Sequence, residues 1–479
     1  MAWWLSRQLD SLVGIWNPAR AFARKQARFA YEVLDGSRLR KDRKKYKSTG
    51  DAVLTEAVQD DLRETSRDLS RNNSIVSGML QDEANDIVGA AGPAIEVEVP
   101  GEWGKKAAVL WRQTMIEEAC DHMGVHAWPT YVSTYYKSYR RDGDCLTILT
   151  DEGLQMIEGE QCGTPLGKVT NKLRIVNGVA YNEKGRRIGF YIGKPNRWGI
   201  IDSTSWKAYR AEHVHHMFNP ERISSSRGEP ALTPALKWLD MLDGYLDAEI
   251  VAARVNACFT MFISKKNPYG EIVPPIYNRP GAASGIDDGT GYRQEALEPG
   301  QILYGEPDET ATGIGQSRPG QQFEMFIKTL MSLAGRPLSM PLMLITLDFS
   351  GATFMNARIA LQQVQKLWMA EQERVLKPFV WRVWRWWVNR QIRLGNLPDH
   401  ADKYNITVFC NRWPYVDPYR EAQAEKIALE NRTENRHEIC AAKGKRFEDV
   451  EKLRNEEEEA IAKSVDQKTP PTQPKQEAA

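Results

Sequence analysis

Residues 264–320 are crowded with glycine and proline and hold only short extended runs such as EIVPPIY and QILYG, yet both flanks read as helix. Proline removes a backbone donor and clashes with the preceding turn, and glycine gives up the most backbone entropy in a helix. The chain must therefore leave one helix, build a small β-and-loop insertion, and return into another. The upstream flank is TPALKWLDMLDGYLDAEIVAARVNACFTMFIS. Thr233 suits its N-cap and Pro234 its first helical position. Leu236, Leu239, Leu242, Leu246 and Ile250 mark one apolar stripe, and a helix from 233 to 263 would be roughly 45 Å long. The downstream helix covers 321–334.

Helical and strand periodicities alternate elsewhere. Residues 51–90 read as two helices joined near Asn72-Asn73, and 105–141 as helix up to a break at Arg141-Asp142-Gly143-Asp144. Tyr131, Tyr135, Tyr136 and Tyr139 share much of one face there, as a buried stripe rather than a stacking platform. The runs CLTILT, LQMIE, LRIV, VAY and IGFYI read as short strands, with hairpin signals at Asn177-Gly178 and Glu183-Lys184-Gly185, and HVHHMF ends this antiparallel region. Past Pro337 and Pro341 comes the stretch LDFSGATFMNAR, followed by a long helix from Asn356 to Leu394 that Pro378 should kink. Asp417-Pro418 opens a polar helical tail, with Glu448/Lys452 and Glu459/Lys463 at i,i+4, and QKTPPTQPKQEAA reads as disordered.

Overall charge names no partner, since the formal net charge is +1 over 479 residues. Its distribution is uneven: residues 20–47 hold eleven Lys/Arg against three acids, which reads as a solvated arm or a polyanion contact. The six cysteines include no CxxC pair, favouring reduced thiols and an intracellular origin. Residues 1–17 are amphipathic but make no convincing signal peptide, and no run is apolar and long enough to span a bilayer.

Enzyme motifs are absent. There is no GxxxxGK[ST], since Gly444-Lys445 lacks both the upstream glycine and the following Ser/Thr, and no GxSxG or HExxH. His213 and His215 would face the same way in a strand, so a metal-dependent hydrolase using them with Asp144 is one competing reading. His122 and His126 at i,i+4 lack a third ligand, and Asp142-Gly143-Asp144 is a turn rather than a calcium loop. A nucleic-acid binder driven by the basic segment 20–47 is the other competitor. The Trp-rich run FVWRVWRWWVNR could stack bases, but on a helix it reads first as a packing face. With one glycine, LDFSGATFMNAR is a poor phosphate cradle; a hinge or a displayed loop fits better.

Several stretches together resemble the lambda-type portal proteins of tailed bacteriophages. RDLSRNNSIVSGMLQDEANDIVG resembles that family's early helical signature around Arg-Asn-Asn, and RDGDCLTIL and NEKGRRIGFYIG resemble its first strands. SSRGEPALTPALKWLDMLDGYLDAEIVAARVNACF is similar to its Arg-Gly-Xaa-Pro loop and long helix, and RWPYVDPYREAQA to its Trp-Pro…Asp-Pro segment. LDFSGATFMNAR resembles its Asp-Leu-Ser-Gly-Ala-Asn-Tyr-Ser-Ser-Ala-Arg loop. The resemblance runs in order over roughly 30–460.

It implies an α+β subunit of a ring, usually about twelve copies, at one capsid vertex, through whose channel double-stranded DNA is packaged and ejected. The implied organisation is a basic N-terminal arm (1–50), a mixed α/β wing (51–230), a first stem helix (231–263), a β-rich clip (264–320) and a second stem helix (321–342). A tunnel loop (343–357), the long kinked helix and return to the wing (358–416), a helical crown (417–463) and a disordered tail (464–479) complete it. Leu347, Asp348, Phe349, Ser350, Gly351, Ala352, Thr353, Phe354 and Asn356 would face DNA. Implied partners are the terminase large subunit, a head-tail adaptor, and capsid and scaffold proteins, in the host cytoplasm during assembly and then in the virion. No enzymatic activity, cofactor, metal or membrane is implied.

Overall fold

In the computed structural model, residues 49–165, 173–263, 286–287, 293–294, 301–304, 322–413, 418–442 and 447–466 are described. The basic arm, most of the Gly/Pro-rich insertion and residues 467–479 lie outside them. Two units divide the chain: one made of everything up to Leu236 together with Gly335 onward, the other of Lys237–Ala334.

The first unit begins with α1 (Gly50–Val53), α2 (Glu56–Asn72) and α3 (Ser74–Val88). Asn73 separates α2 from α3 because its Oδ1 accepts the amides of Ile75 and Val76, both at 3.0 Å, and so satisfies a new helix start. Then come β1 (Ala94–Val97), α4 (Glu102–Trp111), a π-helical turn Arg112–Glu117 and α5 (Trp128–Asp142). The single helical stretch expected over 105–141 is thus broken. Asp121 explains the break: its Oδ1 accepts from Val125 N at 2.8 Å and His126 N at 2.9 Å, a local alternative to helix bonding, with Gly124 at φ 70°. His122 and His126 consequently do not share a helix face.

Seven strands follow: β2 (Asp144–Leu149), β3 (Leu154–Glu158), β4 (Arg174–Val176), β5 (Val179–Tyr181), β6 (Arg187–Pro195), β7 (Ile201–Arg210) and β8 (Val214–Phe218). They make two antiparallel sheets, in orders β3-β2-β8 and β4-β5-β6-β7. Asn177 and Gly178 take φ 49° and 80° at the β4–β5 turn, the left-handed pair a tight hairpin requires. Leu146, Ile148, Ile157 and Val214 from one sheet share a small core with Val179, Phe190 and Ile192 from the other.

Lys237–Ala334 includes nearly all of α6 (Leu236–Cys258), the short strands β9 (Phe259–Ile263), β10 (Ile286–Asp287), β11 (Arg293–Gln294) and β12 (Gln301–Tyr304), and α7 (Phe323–Gly335) up to Ala334. The helix expected to reach 263 stops at Cys258, and 259–263 instead pair in parallel with β12. The run FTMFI carries aromatic and β-branched residues, which suit a strand better than a further turn of helix. Thr233 does not cap α6; its hydroxyl donates to Pro230 O at 2.7 Å, in the irregular chain just ahead of the helix. Leu239 and Leu242 are buried, and the Tyr245 ring lies 5.8 Å from Phe323 and 5.1 Å from Phe326.

The chain re-enters the first unit and forms α8 (Leu342–Thr346), α9 (Phe354–Glu371), a π-helical turn Gln372–Leu376 and α10 (Lys377–Arg393). The irregularity expected at Pro378 is real but is absorbed one turn earlier, by the wider turn that precedes it. β13 (Ile406–Phe409) pairs antiparallel with β1. Then come α11 (Pro418–Glu430), α12 (Arg436–Ala442) and α13 (Phe447–Asp466), so helix extends three residues into the tail expected to be disordered.

The main core gathers α3, α5, α9 and α10. Trp128, Tyr131 and Tyr135 of α5 pack on Phe379 of α10, Trp111 bridges Trp128 to Trp384 and Trp387, and Tyr136 and Tyr139 are buried in the same cluster. Two indole donors of α10 are satisfied at the core's edge: Trp387 Nε1 donates to Thr114 Oγ1 at 2.9 Å and Trp386 Nε1 to Thr150 O at 3.2 Å. The Trp-rich helix is therefore a packing face, and only Trp381 is exposed among its four tryptophans.

Candidate functional site: the exposed loop 347–353 and its supports

Between Arg336 and Arg358 the only ionisable side chain is Asp348. The stretch is held at its base by Leu344, which packs on the main core. Leu347 ends α8 in the left-handed region, φ 53°, a conformation that costs a non-glycine residue roughly 1–2 kcal/mol. The loop recovers this with local bonds. Asp348 Oδ1 accepts from Ser350 N at 2.9 Å and Ser350 Oγ at 2.6 Å, and Ala352 N donates to Phe349 O at 3.1 Å. Thr353 then caps α9: its Oγ1 accepts from Asn356 N at 3.3 Å.

The result is a short self-bonded loop with its side chains turned outward. Leu347, Phe349, Phe354 and Met355 are all exposed, and Gly351 faces open space. Of the nine residues singled out from the sequence, Leu347 to Thr353 lie in the loop itself, whereas Phe354 and Asn356 belong to the first turn of α9. The expected loop 343–357 is shorter because Thr353 starts the helix early and Leu342–Thr346 is already helical.

α9 carries the loop, and Gln372 fastens its far end. Gln372 Nε2 donates to Ile87 O at 2.9 Å and Asn411 O at 2.8 Å, tying the π-helical turn to α3 and to the segment after β13. Val364 and Trp368 of α9 are buried, so the loop sits on a helix anchored in the main core.

A second constellation lies in the two-sheet region, and the sequence showed its central residue, Arg227, only as part of an Arg-Gly-Xaa-Pro loop, with no role attached. Fully buried, Arg227 places Nε and Nη2 on the Asp144 carboxylate, Nη2 lying 3.1 Å from Oδ1. It also donates to Gly159 O and Cys162 O, each at 2.6 Å, and to Asn177 O at 3.1 Å. Arg63 Nη2 and His216 Nε2 approach the same carboxylate at 3.3 and 3.1 Å. One guanidinium thus ties β2 to the β4–β5 turn, joining the two sheets. Its neighbour Gly228 abuts the Gly143 carbonyl, where a Cβ would collide, and Gly143 itself has φ 89°. The available signal was the pairing of Arg141-Asp142-Gly143-Asp144 with Arg227-Gly228: two glycines that let two backbones touch beside one buried ion pair.

Burial alone pushes the Asp144 carboxyl up, but Arg227 beside it and the His216 hydrogen bond hold it well below the usual carboxylate range. Burial lowers His216 to about 4 although Asp144 pulls it up, and lowers His215 to about 3. Both histidines are therefore neutral in the fold and charged in an unfolded chain below about pH 6.5. The unfolded state binds the extra protons, so stability falls as pH drops from about 6.5 toward 4, by at most about 1.4 kcal/mol per pH unit for each histidine. Asp144 adds its own loss only at more acid pH, as it is finally protonated. Urea midpoints measured from pH 7 to 4.5 should fall steadily, and His216→Gln should flatten that slope.

This arrangement does not gather the residues of the metal reading. Asp144 is held by Arg227, the His215 ring lies 3.2 Å from Tyr135 OH, and His213 is exposed beside Glu212, outside β8. Among the described residues no group of three or more His, Cys, Asp and Glu could hold a metal ion. The basic segment 20–47 lies outside the described residues.

Comparison with known proteins agrees with the sequence resemblance. The family model described as "Phage portal protein, lambda family" matches residues 36–372. A "Probable portal protein" of Halomonas phage phiHAP-1 is 22% identical over 346 residues, covering 69% of this chain and 65% of its relative's length. Among solved structures, a chain from the "Neck of empty GTA particle computed with C6 symmetry" aligns with a TM-score of 0.40 and 11% identity, covering 79% of this chain and 93% of that one. One from the "Virion of native gene transfer agent (GTA) particle" aligns with a TM-score of 0.40 and 12% identity, covering 88% and 99%. The family model spans well over half of the sequence, including both sheets, Arg227 and the exposed loop: the chain belongs to the lambda family of phage portal proteins.

Proposed function

We propose that this chain is the subunit of a ring-shaped portal at one capsid vertex, through which double-stranded DNA is packaged and later ejected, with loop 347–353 lining the channel. The observation that carries the reading is the loop: exposed, self-bonded, mounted on an anchored helix and free of Lys and Arg, within a chain of the portal family. Duplex DNA carries about one phosphate charge per 1.7 Å, and each cationic contact adds affinity through counterion release. A surface that must let the polymer pass does better without such contacts. Asp348 adds mild repulsion while its carboxylate holds the loop's shape.

In this assignment 51–230 form the wing, α6 and α7 the stem, 264–320 the clip, and 417–463 the crown. The stem helices have apolar side chains to spare for neighbours: Met241, Ile250 and Val251 on α6, and Met325 and Leu333 on α7, are exposed in the single chain. The clip would dock the terminase large subunit and then a head-tail adaptor, and the wing the capsid and scaffold proteins. The chain performs no catalysis in this role and works in the virion after assembly in the host cytoplasm.

Imaging and light-scattering mass of the purified protein test the assembly. Closed rings with a central channel and a mass near twelve copies of 54.5 kDa, roughly 650 kDa, are expected. A protein that stays monomeric even when co-expressed with capsid and scaffold components would contradict the reading.

A further inference from the structure

β7 is the edge strand of its sheet and, at ten residues, about twice the usual strand length. Which of its backbone groups face outward follows from β6. Tyr191 N donates to Gly178 O at 2.8 Å and Tyr191 O accepts from Gly163 N at 3.3 Å, so Tyr191 bonds away from β7. Backbone bonding alternates sides along a strand, so Phe190 and Ile192 bond toward β7, where their register partners are Tyr209 and Lys207. The N–H and C=O groups of Trp206, Ala208 and Arg210 therefore point out from the edge of the sheet. Among the described residues no backbone group pairs with that outer row. Ala208 is exposed, and β7 holds no proline that would remove a donor and blunt the edge.

We propose that this edge takes up an extended, acidic segment of a partner protein as a fifth strand, paired along 206–210. A row of alternating donors and acceptors matches another peptide backbone, whereas a phosphate backbone offers only acceptors and leaves the outward carbonyls unmet. Charge selects the segment. Residues 174–210, from β4 through β7, hold eight Lys/Arg against Glu183 and Asp202, a net +6 in a chain whose total is +1. Among the described residues neither Lys194 nor Lys207 has an acid partner; the Lys207 ammonium lies over the Tyr209 ring at 5.1 Å. Arg210 shares its charge with Glu212, and both remain exposed. A second copy of the same edge would bring these cations against their own kind, so the charges that bar self-pairing admit a strand carrying acids. The partner's backbone supplies affinity, and its acids opposite Lys207 and Arg210 supply selectivity. Such pairing needs only the sheet, and holds whether or not the chain closes into a ring.

Residue-resolved hydrogen exchange on the full chain tests this, with a synthetic decapeptide of alternating valine and glutamate as the probe. The peptide should slow the amides of Trp206, Ala208 and Arg210 by about tenfold or more, and leave those of Lys207 and Tyr209, already bonded to β6, nearly unchanged. A valine–lysine decapeptide should bind about tenfold more weakly. Ala208→Pro removes one outward N–H and no bond to β6, so it should fold and weaken the acidic peptide by about tenfold, whereas Ala208→Val should not. Lys194→Glu with Lys207→Glu keeps every backbone bond and should reverse the preference between the two peptides; it decides the matter if the proline variant does not fold. Outer amides that ignore the acidic peptide, or equal binding of the two peptides, would overturn the proposal. Protection by a short DNA duplex that Ala208→Pro leaves intact would also overturn it, and would make the surface a polyanion contact. Protection that rises with the chain's own concentration and needs no peptide would overturn it in favour of a second copy.

Discussion

Replacing Arg227 with alanine is expected to lower the stability of the two-sheet region by about 3–5 kcal/mol, the usual cost of removing one partner from a buried ion pair. The loss has two parts. Asp144 is left in the interior with Arg63 and His216 as its remaining partners, and burial disfavours the ionised form. The carbonyls of Gly159, Cys162 and Asn177 each lose a donor; Gly159 O keeps the Cys162 amide at 3.1 Å, whereas a buried acceptor left unsatisfied costs about 1–3 kcal/mol. Arg227→Lys should recover only part of this, because a single ammonium cannot reproduce the fork that reaches four acceptor groups. Urea unfolding followed by near-UV circular dichroism gives the measurement. A loss below about 1 kcal/mol for Arg227→Ala would show that solvent or Arg63 replaces it, and that the two sheets hold together by their apolar contact alone. The expected failure is local: Leu146, Phe190 and Ile192 should lose protection, while the α5–α10 core keeps its aromatic packing.

Features governed by neighbours in sequence could be read before the structure was known. Asn73 starts a helix because its own side chain caps the amides two and three residues on, and Asn177-Gly178 turns a hairpin because those residues tolerate positive φ. The tyrosines of α5 and tryptophans of α10 follow a helical period, and that period survives in their burial. The misreadings arose where a nearby group offered an equal alternative. Thr233 found the Pro230 carbonyl instead of a helix amide, and Asp121 drew two amides into a loop where the pattern continued as helix. The end of α6 was misjudged because 259–263 pair with a strand some forty residues onward, a partner that no local period announces. The role of Arg227 stayed hidden for the same reason: its acceptors come from 144, 159, 162 and 177, and nothing in SSRGEP says that its guanidinium is buried. Within the loop, the absence of cations and the single acid were visible in the sequence, whereas the Asp348–Ser350 bonds that shape it were not.

Those bonds decide how the loop should be tested. Asp348→Lys with Thr353→Lys, on the channel reading, changes each loop by three charges and a ring of about twelve copies by roughly thirty-six. Facing a polymer with a phosphate every few ångströms, such a ring becomes an adhesive collar, and packaging should slow by about tenfold or stop short of a full genome. Both substitutions also disturb the loop itself, since Asp348 accepts from Ser350 and Thr353 caps α9 at a worth of about 1 kcal/mol. Two controls separate shape from charge. Asp348→Asn keeps an acceptor oxygen for Ser350 without the negative charge, and Thr353→Ala removes the cap without adding a positive one. If charge is the cause, both controls should package close to normally and the double lysine variant should recover partly at higher salt, because screening shortens the reach of each contact. DNA content per purified particle and the rate of packaging in vitro supply the readouts. A salt-independent defect shared by Thr353→Ala would assign the effect to loop shape, and packaging at the normal rate and extent by the double lysine variant would remove loop 347–353 from the path of the DNA.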